Sequence, residues 1–277
     1  MDRESKSTIV AIAVIAVLFV GVFGGIVLYS GHSPPFSTVT SQSMQHDDER
    51  SEIGVIDTGD MVLVKNKSKT QIVSYLEGRT TGFSKFGDYG SVIIYHRDGN
   101  QNPVIHRAII LAEITTDGVN KYLKANFLDE YRDADGNPLW TCTGSSNPER
   151  LKGTLTLNEM GYNKKTVTIN LDSIISSEEV GTVGYITKGD NNSGVDQPYL
   201  SGLVTYEKIK SVPMVEIPWL GCIKLISDGR GAVVDEHAPN SIPAMGTAFL
   251  SFVLLLVSVY AVYFGILLER KYRREKE

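Results

Sequence analysis

Two long uncharged apolar tracts, one near each end, set the limits on what this chain can fold into. Thr8–Tyr29 carries no charged side chain, and neither does Ala238–Leu268. About 20 helical residues at 1.5 Å rise cross a hydrocarbon layer of roughly 30 Å, so each tract is long enough to span a bilayer. A freely soluble protein is therefore excluded on this reading. The first tract outruns the apolar core of a cleaved leader, its flank Met1–Ser7 has no net charge, and no small-residue cleavage site follows it. It is expected to stay as an anchor.

The second tract ends in Glu269–Glu277, where Arg270, Lys271, Arg273, Arg274 and Lys276 make the more basic flank. Basic flanks stay in the cytoplasm, and two spans then place the N-terminus there as well. The expected organisation is a cytoplasmic N-terminus (1–7), a membrane helix (8–29), an extracytoplasmic domain (30–241), a second membrane helix (242–268) and a basic cytoplasmic tail (269–277). Gly21, Gly24 and Gly25, with Gly246 and Gly265, either mark close helix approach or reflect the ordinary frequency of glycine in membrane helices.

The net charge of −5 and the lack of a long Lys/Arg block argue against nucleic acid as a partner, because phosphates require a basic footprint. Cys142 and Cys222 are the only thiols, and the sequence leaves open whether they pair. The five histidines, His32, His46, His96, His106 and His237, have no helical metal-pair spacing, and no glycine-rich phosphate loop occurs. No metal or cofactor is expected. His46 beside Asp47, Asp48 and Glu49 reads as part of a solvated loop.

Between the apolar tracts the pattern is that of strands. Met61–Val64, Ser91–Tyr95, Val104–Ala112, Gly153–Leu157, Lys165–Leu171 and Val180–Ile186 are rich in Val, Ile and Thr. Turn formers such as Thr58-Gly59-Asp60, Asp98-Gly99-Asn100 and Gly189-Asp190-Asn191-Asn192 bound them. The expected fold is mainly β, an antiparallel domain between N- and C-terminal transmembrane helices, with Tyr89–His96 and Val104–Ile110 forming a hairpin. Residues 115–177 are more irregular and read as an insertion. Pro34 and Pro35 keep Ser30–Thr40 from forming regular helix, so this stretch is a short tether and Ser43 lies close to the membrane.

With metals and phosphate cradles set aside, hydroxyl nucleophile chemistry remains. A serine needs a base within hydrogen-bond reach, most often a histidine oriented by a carboxylate. His106 interrupts the apolar run Val104-Ile105-His106-Arg107-Ala108-Ile109-Ile110 and demands a reason, although a place on the solvent face of a strand would satisfy it too. The candidate carboxylates at turns are Asp60, Asp190 and Asp196.

Four pieces in order, Ser41-Gln42-Ser43-Met44, Thr58-Gly59-Asp60-Met61-Val62-Leu63-Val64, Ile105-His106-Arg107-Ala108-Ile109 and Ile186-Thr187-Lys188-Gly189-Asp190-Asn191-Asn192 with Asp196, resemble the boxes of type I signal peptidases. The form resembled is the archaeal and endoplasmic-reticulum type, which uses histidine where the bacterial form uses lysine. The resemblance implies a signal-peptidase-like β fold and a membrane-bound serine endopeptidase that removes signal peptides from exported preproteins. It implies Ser43 as nucleophile, His106 as base, Asp196 as the carboxylate of the relay, Asp190 as an organiser of the site and Ser41 as an oxyanion-hole candidate. It further implies shallow pockets for small residues before the cut, with Met44 and Met61–Val64 as candidate walls. Signal-peptide-bearing preproteins, the lipid bilayer and the protein translocation machinery are the partners it implies, at the cell membrane.

The chain departs from the family pattern in three ways. Gln45, His46 and an acidic run replace the proline that usually follows Ser-Met, about a dozen extra residues precede Thr58, and 115–177 has no counterpart. His96-Arg97 also duplicates the His-Arg pair. Two rival readings stand beside the protease with Ser43 and His106: a Ser-Lys peptidase using Lys65 or Lys67, and a membrane-anchored β binding or assembly module without catalysis. The stretch Met214–Leu220, with Pro213, Pro218 and Trp219, is either an apolar edge toward lipid or core packing.

Overall fold

A computed structural model describes residues 3–274 apart from 98, 100, 101 and 201. Asp98 and Asn100 of the hairpin turn, Met1 and Asp2 of the N-terminus and residues 275–277 of the tail lie outside the described residues. Helix α1 (Arg3–Ser30) and helix α6 (Ser241–Arg274) carry the two apolar tracts. Within them, Ile12–Ser30 and Ser241–Glu269 have the length and composition to cross a membrane, and only their domain-proximal ends, Ser30 and Ser241 to Met245, pack against the folded domain. Nothing lies within 4 Å of a Cβ built on Gly21, Gly24, Gly25, Gly246 or Gly265, so these glycines make no close helix contact.

The domain between the helices is mixed α/β, built on a large open antiparallel sheet with short helices around it. Its strands are β1 (Phe36–Thr38), β2 (Met61–Asn66), β3 (Ser84–Lys85), β4 (Asp88–Tyr89), β5 (Val92–Tyr95), β6 (Val104–Thr116), β7 (Lys121–Ala125), β8 (Trp140–Cys142), β9 (Thr154–Met160), β10 (Lys165–Asn170), β11 (Val183–Lys188), β12 (Val204–Thr205) and β13 (Ile209–Ile217). The main sheet runs β1-β2-β13-β5-β6-β11-β12, with β7 also on β6. Strands β8, β9 and β10 make a second sheet, and β3 with β4 a two-stranded ribbon. The short helices are α2 (Tyr75–Thr81), α3 (Leu171–Ser177), α4 (Leu220–Ser227) and α5 (Gly231–His237).

The expected strand segments all contain observed strands, and β5 pairs with β6 as a hairpin, Ile93 facing His106. The tether is shorter than the proline stretch suggested. Phe36–Thr38 leaves it as an edge strand on Leu63–Met61, because the chain beyond Pro35 is already extended and Val64 N donates to Pro35 O. Residues 115–177 carry the end of β6, then β7 to β10 and α3. In β10 the alternation sends Val167 and Ile169 inward, where they join Ile109, Ile110 and Ile186 of the main sheet in one core.

Long β6 positions the site. Its residues from His106 to Ile110 are all buried, so the strand is covered on both faces. Neighbouring residues of a strand point to opposite faces. His106 and Arg107 therefore leave β6 in opposite directions. Opposite them β11 shifts register between Ile186 and Thr187, an irregularity of the kind that re-aims side chains beside sites.

Candidate active site

Ser43 sits in a 3-10 turn, Gln42–Met44, that is held from below and from the side. Met44 is buried in an apolar cluster with Ile56, Val62 and Val64 and acts as the plug of the turn. Gln45 is also buried. Its Oε1 accepts from Thr58 N and Oγ1 (3.3 and 2.8 Å), and its Nε2 donates to His237 O (2.5 Å). From the side, Asn191 N donates to Ser43 O (2.9 Å) and Asn191 Nδ2 to Gln42 O (3.2 Å).

His106 takes up the orientation that a base requires. Its Nδ1 lies 2.7 Å from Asp196 Oδ2, with both side chains about nine-tenths buried. An ionised carboxylate only accepts, so Nδ1 carries the hydrogen and Nε2 presents its lone pair. Asp196 is placed by its own backbone, N donating to Thr187 O (2.9 Å), at the start of the 3-10 turn Gln197–Tyr199. Tyr95 OH donates to the same Oδ2 at 2.8 Å and lies 3.0 Å from Thr187 Oγ1. The carboxylate oxygen thus has two donors from two strands.

Gly189 brings the two halves together. A Cβ built on it would lie 2.5 Å from Ser43 O, 2.8 Å from Asn192 Nδ2 and 2.9 Å from His106 Nε2. The Ser43 turn and the His106 imidazole converge on a point where only a hydrogen atom fits. Ser43 Oγ nevertheless bonds Ser41 Oγ, at 3.3 Å, and no hydrogen bond joins it to His106. The pair is adjacent but open.

Asp190, the neighbour of Gly189, turns away from this point to Arg107. Nε donates to Oδ1 (2.8 Å) and Nη2 to Oδ2 (2.5 Å), a bidentate clamp that is fully buried. The remaining guanidinium hydrogens go to carbonyls of 85–90, among them Lys85, Phe86 and Gly90. Burial alone would raise the Asp190 pKa, but the Arg107 charge and hydrogen bonds outweigh it and hold the carboxyl at about 2. Lys188 is buried against the same loop, Nζ donating to Gly189 O and Asp190 O (2.9 and 3.1 Å), and desolvation pulls its pKa down to about 8.

A cleft of about 510 Å³ opens over this arrangement. Ser41, Ser43, His106, Asn192 and Asp196 line it together with Thr38, Ile94, Val104, Ile105 and Arg230. The walls differ from those expected: Met44 and Met61–Val64 do not line it, because Met44, Val62 and Val64 are turned into the core beneath. Strand β1 and the β5–β6 hairpin supply the walls instead. His96 is exposed, outside the cleft. Lys65 and Lys67 lie over the rings of Tyr29 and Tyr206, also outside it.

Asp60 is removed from the cleft as well. It is fully buried, its carboxylate accepting from Trp219 N (2.9 Å) and Asp57 N (2.7 Å), and desolvation pushes its pKa up to about 8. Trp219 also donates from Nε1 to Ser51 Oγ (2.9 Å), which fixes one end of the Met214–Leu220 stretch to the domain while Val215 stays half exposed. Cys142 and Cys222 are free thiols. Among the described residues no group of three or more His, Cys, Asp or Glu side chains is placed to hold a metal ion.

Three side chains of this region escape a reading of the sequence. Tyr95 ends an apolar strand and looks like core, Lys188 looks like a solvated loop lysine, and His46 sits in an acidic run. Only Lys188 had a local signal, its place beside the Gly-Asp-Asn-Asn turn. No protein-family model matches the chain, and no curated protein matches it.

Proposed function

We propose that this chain is a membrane-anchored serine endopeptidase of the signal-peptidase type, cutting N-terminal signal peptides from exported preproteins. The observation that carries the reading is the Asp196–His106 pair whose free Nε2 shares one cleft and one glycine contact with the Ser43 turn.

In this mechanism Ser43 Oγ rotates from Ser41 toward His106 and attacks the scissile carbonyl, while Nε2 takes its proton. Catalytic hydrogen bonds are often long before substrate binds, so the open pair is compatible with this step. Asp196 stabilises the imidazolium, with its negative charge fixed in place by Tyr95. His106 then protonates the leaving amine, and the acyl group on Ser43 is hydrolysed by a water that the same imidazole deprotonates. The Ser43 N–H, with Ser41 Oγ beside it, is the candidate oxyanion hole, each donor being worth about 3 kcal/mol at the transition state.

The two apolar helices supply the other half of the reading. A signal peptide is itself an apolar helix, so anchoring enzyme and substrate in one bilayer raises their effective concentration and sets the cut near the interface. The basic tail supports a topology with both termini in the cytoplasm and the cleft on the extracytoplasmic side, where preproteins leave the translocation machinery. The test is incubation of the full chain in lipid vesicles with a preprotein, reading product mass. Cleavage after a small residue, absent in Ser43→Ala, supports the proposal; unchanged cleavage by Ser43→Ala overturns it.

A further inference from the structure

His46 is not the solvated loop residue that its acidic neighbours suggest. Its side chain is 9% exposed and its Nε2 lies 3.1 Å from Asp190 Oδ2, the oxygen that Arg107 Nη2 also grips. Asp190 stays ionised beside Arg107 and can only accept, so Nε2 is the donor. The imidazole is sandwiched. One side stacks on the Tyr162 ring with centroids 3.7 Å apart and planes 12° apart, and Gly87 leaves room at its edge, where a built Cβ would come within 2.7 Å of Cε1. Tyr162 belongs to the β9–β10 turn, part of the segment 115–177 that the family pattern lacks.

Three parts of the chain meet at this one ring. Ser43 lies three residues upstream in the adjoining 3-10 turn, Asp190 precedes the Asn191 that holds Ser43 O, and Tyr162 belongs to the β9–β10 turn of the inserted segment. We infer that His46 is a positioning residue through which the inserted segment holds the nucleophile turn against the catalytic loop. The inference rests on the protease reading but names a contact outside the Ser43, His106 and Asp196 set. Neither His46 nor Tyr162 lines the cleft, so the effect falls on alignment of Ser43 and not on substrate affinity.

The experiment uses the full chain in vesicles with four variants. His46→Ala and Tyr162→Ala are expected each to lower kcat about 10-fold while KM stays within about 2-fold, because the lost interaction serves the reacting geometry. Tyr162→Phe keeps the stacked ring and is expected to retain wild-type kcat. The double variant His46→Ala with Tyr162→Ala is expected to be no slower than either single one, as for two residues acting through one contact. Effects that multiply, or a raised KM at constant kcat, would overturn the inference. Amide hydrogen exchange reads the same contact without turnover. Faster exchange at 189–192 in His46→Ala, with β13 unchanged, supports it even if no preprotein is cut; unchanged exchange at 189–192 overturns it whatever the fate of the protease reading.

Discussion

Two base–carboxylate pairs leave neighbouring positions of β6, and their surroundings could hardly differ more. Arg107 goes to one face and meets Asp190 in a sealed nest where every guanidinium hydrogen bond is made by a carboxylate or a backbone carbonyl. His106 goes to the other and meets Asp196 at the floor of an open cleft, with one nitrogen left free. Both aspartates come from the stretch after β11, six residues apart in a chain that turns between them. A pair that is fully coordinated holds its surroundings in place; a pair with a free lone pair is able to move a proton. The alternating pleat of a single strand thus separates a sealed pair from one that opens on the cleft.

Removing the carboxylate of the cleft pair separates the two roles most sharply. Asp196→Asn is expected to lower kcat by about 10³–10⁴-fold through a misplaced imidazole tautomer, while stability changes by less than about 1 kcal/mol. Kinetics together with chemical denaturation checks both halves. The sealed pair should behave in the opposite way. Arg107→Ala leaves an uncompensated buried carboxylate and frees the carbonyls of 85–90, and is expected to cost about 3–5 kcal/mol, read as a loss of denaturation midpoint. Equal stability losses in the two variants would erase the distinction.

Tyr95 tests the cleft pair more finely. Tyr95→Phe deletes one donor to Asp196 Oδ2 and keeps the ring, so a stability loss of about 1 kcal/mol is expected. Asp196 is then held by one donor fewer, and kcat is expected to fall about 5-fold through looser placement of His106. An unchanged kcat would make Tyr95 packing alone.

Two buried aspartates outside the cleft leave a pH signature on stability. Asp190 is held at about 2, below its ordinary value of 3.8, so its contribution is complete above about pH 4 and lost as pH falls toward 2. Asp60 runs the other way: raised to about 8 by burial, it favours the folded state while protonated, and stability declines as pH rises from about 4 through 8. Each limb is worth on the order of 1–2 kcal/mol after relaxation of the site. Asp60→Asn should flatten the alkaline limb and leave the acid one, which thermal unfolding across pH resolves.

Much of this architecture was legible in the sequence because it is local. Uncharged length marks the two long apolar helices, and Val/Ile/Thr runs between turn formers mark the strands. The interruption of an apolar run singled out His106 without deciding between a partner and the solvent face, and the Gly-Asp-Asn-Asn turn carried Asp190. What escaped was long-range. Tyr95 and Asp196 are 101 residues apart and His46 and Asp190 are 144 apart, so no periodicity links them. His46 misled for a further reason, since Asp48 and Glu49 beside it are exposed while its ring turns inward to Asp190. The cleft walls were misassigned because Met44 follows Ser43 in sequence yet points into the core beneath it.

The central claim is that His106, held by Asp196, is the base for Ser43. The most direct measurement is preprotein cleavage by the purified full chain and its His106→Ala and His96→Ala variants, compared at one pH with folding verified for each. The expected result is loss of cleavage with His106→Ala and wild-type cleavage with His96→Ala. Cleavage that survives His106→Ala, or is lost only with His96→Ala, would contradict it.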